Sequence, residues 1–148
     1  MLQNKYYILF FLISMFFITH ANSQNIDKKL SSLTFSNLSD GDKILIDSIT
    51  PLINSSKNDS IKISYVSFLA ENTWGIDVWT KYNQLVFEIA EINLRKNPSS
   101  SYYLKFKGGA INNFGYYYNE LGNSSLALKN YLKALDIAIS NKDSMAEV

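Results

Sequence analysis

The chain of 148 residues contains no cysteine and one histidine, and it carries almost no excess charge: 14 Lys and Arg stand against 13 Asp and Glu. Without cysteine there is no disulfide framework, no thiolate nucleophile, no lipid-modified cysteine and no cysteine-ligated zinc or iron–sulfur centre. A formal charge of +1 marks neither a nucleic-acid binder nor a polyacidic tail. The length allows one domain, or one segment of a longer array. Apolar material is plentiful, with 47% hydrophobic and 14% aromatic residues. That composition sustains a packed core and argues against disorder throughout.

The long apolar run is YYILFFLISMFFI, residues 6–18. It follows Lys5 and precedes Ala21-Asn22-Ser23, a small-x-small pattern. It is shorter than the roughly 20 residues a spanning helix needs. We read residues 1–23 as a signal peptide cleaved after Ser23; the alternative is retention as an N-terminal anchor. Cleavage removes Lys5 and His20, leaving 13 residues of each charge and no histidine. The expected location is the periplasmic or extracytoplasmic side of a bacterial envelope, given an Asn/Ile/Lys/Tyr/Ser-heavy composition like that of AT-rich bacterial genomes. Glycosylation triplets at Asn37, Asn54, Asn58 and Asn123 matter only in a eukaryotic secretory route.

Residues 24–39 read as a flexible lead-in. From Asp40 onward the apolar residues take helical spacing. In a first helix Leu45, Ile49, Leu52 and Ile53 share a face, Asp40 and Asp42 suit the N-terminal dipole, and Pro51 predicts a kink or a split. A second helix from about Asp59 should bury Ile61, Tyr65, Phe68 and Leu69 and stop near Trp74-Gly75. A third, over about 77–96, presents Tyr82, Leu85, Val86, Ile89, Ala90 and Leu94, and Asn97-Pro98 ends it. A fourth reaches about Leu121, with Leu104, Ile111, Phe114, Tyr118 and Leu121 inward and a bend at Gly108-Gly109. The fifth runs from Ser124 to about Ser140, with Leu126, Ala127, Tyr131, Ala134, Leu135 and Ala138 inward. No stretch alternates with period two, so the fold class is all-α, built of antiparallel helix hairpins.

Residues 108–141 (GGAINNFGYYYNELGNSSLALKNYLKALDIAISN) resemble a tetratricopeptide repeat, or TPR. Ile111, Phe114, Gly115 and Tyr118 match its first helix, Gly122 its turn, and Ala127, Tyr131 and Ala134 its second helix. Ile139 stands where the repeat usually has proline. Phe87 and Ala90 lie 44 residues before Tyr131 and Ala134, against a repeat period of about 34. The hairpin within residues 40–98 therefore resembles a degenerate unit, with Ala70 and Trp74 as inner residues and Asn83 near the position of the usual small residue. Residues 142–148 look like the start of a further repeat. Stacked repeats need about three units, so the expectation is a TPR-type α-solenoid continuing in a longer protein.

The whole pattern resembles the N-terminal regions of exported bacterial TPR signalling proteins, which lead to histidine kinase, nucleotide cyclase or helix-turn-helix output modules. The resemblance implies a protein- or peptide-binding input region with no cofactor, no metal and no nucleic-acid partner, touching a membrane only through its leader or a further helix. The alternative is a stand-alone envelope scaffold or assembly factor. An enzyme is disfavoured. Glu88 and Glu91 share a helix face but read as solvated, Gly108-Gly109 lacks a phosphate-loop context, and no Ser-His-Asp set exists in the mature chain. The tyrosine clusters at 102–103 and 116–118 read as packing and groove lining rather than base stacking. By the resemblance, Asn112, Asn113, Tyr116 and Asn119 line a peptide groove, and Asn113 pairs with a ligand backbone.

Overall fold

The computed structural model describes the backbone of residues 26–146 and the side chains of residues 26–142. The signal-peptide assignment falls outside the described residues. These are helical, with no strand among them, and no described helix is long and apolar enough to cross a membrane. They form two units divided between Leu33 and Thr34. The first contributes a helical turn over residues 26–31, where the Ser31 and Ser32 hydroxyls donate to the Lys28 and Lys29 carbonyls at 2.9 and 2.8 Å.

The second unit holds five helices: α1 (Asp40–Ser55), α2 (Asp59–Asn72), α3 (Ile76–Lys96), α4 (Ser101–Glu120) and α5 (Ser124–Ala146). Polar side chains set the boundaries. Ser39 Oγ accepts the Asp42 N–H at 3.0 Å, and Asn58 Oδ1 accepts that of Ser60 at 2.9 Å, each capping a helix start. Between α4 and α5, Gly122 takes φ 73°, while its N–H donates to Asn119 O and the Asn123 N–H donates to Tyr118 O. This is a Schellman closure, which needs a left-handed residue at that point. Asn123 also caps α5, accepting the Leu126 N–H at 3.1 Å. Pro51 lies inside α1, which is a single helix and not two.

The principal packing runs between helices adjacent in sequence, and the α4–α5 interface is the most extensive. At the centre, α3 buries Val78, Tyr82, Leu85, Val86, Ile89, Ala90 and Leu94. It lies against α2 and α4, and Phe87 meets Phe114 of α4 edge-on at 6.0 Å.

Several expected faces differ. In α2 the buried residues are Lys62, Ile63, Val66, Leu69 and Ala70, whereas Ile61 and Phe68 are exposed and Tyr65 is half-buried. Apolar residues lie on more than one side of this helix, so spacing alone does not select the buried face. In α5, Ala127 and Ala134 are buried but Leu126, Leu135 and Ala138 are exposed. Leu121 and Trp74 also face solvent, the latter 88% exposed. α5 does not stop at Ser140 but continues to Ala146, through residues assigned to a further repeat, since neither glycine nor proline interrupts it.

Part of the stretch expected to be a flexible lead-in is fastened to α3. The Phe35 ring lies 5.6 Å from that of Tyr82, Lys81 Nζ donates to Thr34 O at 2.6 Å, and the Ser36 N–H and hydroxyl both donate to Asp77 at 3.3 Å. The Lys81 ammonium, 2.8 Å from Asp77, lowers that carboxyl below its usual range, with help from the Ser36 N–H.

Burial pushes the Tyr82 hydroxyl up from 10.0 to about 12. The folded value lies above the unfolded one, so this stabilisation is complete below pH ~10 and is lost as pH rises through ~12. Denaturant titrations across that window should show the loss, on the order of 2 kcal/mol, and Tyr82→Phe should reduce it.

Candidate functional site

Helix α4 has a packed side and an open side. On the packed side Ile111 and Gly115 are buried, and Phe114 and Tyr118 are half-buried. Gly115 lies under the ring of Tyr131 from α5: a Cβ there would sit 2.6 Å from Tyr131 Cε1 and 2.7 Å from Cδ1. Ala127 and Ala134 of α5 are buried as well, at 2% and 9% exposure, so small residues and a flat ring make up this contact.

On the open side Asn112, Tyr116 and Asn119 are exposed and follow one another at steps of four and three, which places them on one line of the helix. Tyr116 is braced by Trp79 of α3, with ring centroids 6.1 Å apart, and Trp79 meets Tyr117 edge-on at the same distance. Asn113 does not share this line. Its Nδ2 donates to Asn83 Oδ1 at 3.0 Å, and Asn83, 1% exposed, donates from its own Nδ2 to Ala110 O at 2.9 Å. One Nδ2 proton of Asn113 is thus engaged within the fold, which leaves its second N–H and its carbonyl oxygen for other partners.

In the sequence Asn83 marks only the neighbourhood of the repeat's usual small residue; its relay between α3 and α4 depends on how the two helices pack. Asn113→Ala should destabilise the chain by about 1–2 kcal/mol, because Asn83 Oδ1 loses its donor in a dry site. Asn112→Ala, at an exposed position, should be near neutral. Urea unfolding of both variants checks the contrast.

A groove of about 500 Å³ opens between α4 and α5, lined by Gly108, Gly109, Asn112, Ala134 and Ile137 among others. The glycine pair expected to bend α4 leaves it a single helix and instead removes side chains from the wall of this groove. Lys105 and Lys142 line it and no acidic residue does.

Among the described residues no group of three or more His, Cys, Asp and Glu stands together. Glu88 and Glu91 are half-buried rather than fully solvated. Glu91 pairs with Lys107 of α4 at 2.5 Å, and Glu88 accepts from Gln84 at 3.0 Å. Glu91 thereby ties α3 to α4, while the Glu88 contact stays within its own helix. No family model, curated protein or solved structure matches the chain.

Proposed function

We propose that the chain is a protein- or peptide-binding module of tetratricopeptide type, its hairpins stacked as an α-solenoid, serving as the extracytoplasmic sensory input region of a signal-transduction protein. The observation that carries this reading is the α4–α5 hairpin, in which Gly115 takes the Tyr131 ring against its bare backbone while Ile111, Ala127 and Ala134 are buried around it. Packing chiefly between sequence neighbours also supports a stacked array. In such a module the exposed line of Asn112, Tyr116 and Asn119 faces the ligand. Side-chain amides suit an extended peptide because they pair with both N–H and C=O groups, and the ring braced by Trp79 offers a rigid apolar contact. Asn113 holds α4 against α3 through Asn83 and keeps a second N–H and its carbonyl oxygen to offer a ligand backbone. Output chemistry belongs to another domain of the same protein.

The test is binding of the full chain to an array of extended peptides. The double variant Asn112→Ala/Asn119→Ala should bind the selected peptides at least about fivefold more weakly, equivalent to roughly 1 kcal/mol, with unchanged thermal unfolding. Equal binding by the variant would overturn the groove assignment.

A further inference from the structure

An extended peptide can lie along α4 as a β-strand or as a polyproline II helix, and the spacing of the open line separates the two. Asn112 and Asn119 are exposed and seven residues apart. That is two turns of one helix, so they point the same way from positions about 10.5 Å apart. A β-strand returns a carbonyl to the same side every second residue, so its matches fall at about 6.6 and 13 Å. A polyproline II helix does so every third residue, at about 9.3 Å, which two amide side chains can meet by a small adjustment. Between the amides stands Tyr116, 52% exposed, its ring backed by Trp79 at 6.1 Å, while Tyr117 meets Trp79 edge-on. Aromatic platforms of this kind take the flat pyrrolidine rings of proline-rich segments.

We propose that the ligand of this site is an uncharged proline-rich segment in the polyproline II conformation. Two of its carbonyls, three residues apart, accept from Asn112 and Asn119, and the prolines between them pack on Tyr116. The chemistry is matched. Proline has no N–H, so the ligand offers acceptors, and the amide Nδ2 groups supply donors. Asn112, Tyr116 and Asn119 are all uncharged, so the line selects no charged side chain. A preformed helix also loses little conformational entropy on docking, which favours a contact only two helical turns long. This inference rests on the peptide-binding reading above and names the ligand class for it. In a stacked array the line stays on the ligand-facing side, so further hairpins lengthen the wall rather than cover it.

The chain has two tryptophans, and Trp74 is 88% exposed. The full chain carrying Trp74→Phe therefore keeps Trp79 as a single reporter behind Tyr116. Titration with end-blocked decaproline should shift Trp79 emission and saturate, whereas a decamer of alternating serine and valine should bind at least about tenfold more weakly. Tyr116→Ala should weaken decaproline binding about three- to tenfold, the range of one aromatic contact. Tyr116→Phe should retain it, with thermal unfolding of both variants unchanged. Absence of saturable decaproline binding, or equal binding by Tyr116→Ala, overturns the proposal. If the serine–valine decamer binds through Asn112 and Asn119 while decaproline does not, the peptide groove stands and the proline assignment falls. If neither these decamers nor any peptide of the array binds, both fall.

Discussion

Gly115→Val is expected to lower the unfolding free energy by about 2–3 kcal/mol, the upper part of the range for overpacked sites. The reason is geometric. Even the first added carbon would lie 2.6–2.7 Å from two ring atoms of Tyr131, and an aromatic ring does not yield as the tip of a flexible side chain does. The ring must swing out, which opens the contact flanked by Ala127 and Ala134, or the two helices must separate. The double variant Gly115→Val/Tyr131→Ala should lose less than the sum of its single variants, because removing the ring removes the clash. Gly109→Ala is the control. A Cβ there meets nothing within 4 Å, so the substitution should gain up to about 1 kcal/mol of helix propensity. Urea unfolding of the four variants checks both directions. If Gly115→Val were as stable as the parent, the tight hairpin contact would not exist.

Asp42→Ala is expected to cost about 2–4 kcal/mol. The Asp42 carboxylate, 1% exposed, accepts the Trp74 N–H at 2.9 Å and the Gly75 N–H at 3.2 Å, where the chain turns into α3. Gly75 is the N-cap of α3 and Trp74 precedes it, so both donors lie ahead of the helix's own hydrogen-bond ladder. Hydrogen bonds to a charged group contribute about 1.5–3 kcal/mol each, and the substitution removes both at once. Asp40, two residues earlier and exposed, separates this effect from a general dipole contribution. Asp40→Ala should lose about 0.3–1 kcal/mol. Thermal unfolding at neutral pH distinguishes the two. Equal, small losses would mean that Asp42 acts only on its own helix.

The contrast between these two acids shows what the sequence made legible. Asp40 and Asp42 both suit the start of α1, but only the fold shows Asp42 reaching the loop before α3, 32 residues away in sequence. Helix starts at Asp40, Asp59 and Ser124 were readable because capping chemistry is local. The core face of α3 was readable because its apolar residues keep one spacing and polar ones fill the rest. α2 and α5 were not, because they carry apolar residues on more than one side, and burial there depends on which neighbour arrives. Asn113 illustrates the same limit at the site. Its position on α4 was clear, whereas its bond to Asn83 depends on how α3 lies against α4.

Packing between sequence neighbours also bears on how the second unit comes apart. Contacts close in sequence need little loop closure, which favours rapid folding. They also allow the structure to open from its margins, one helix at a time, without breaking the middle. Helix α3, buried on both sides, should hold its amide protons longest in hydrogen exchange, while α1 and the far end of α5 release theirs first. Partial opening is thus a graded property of the chain.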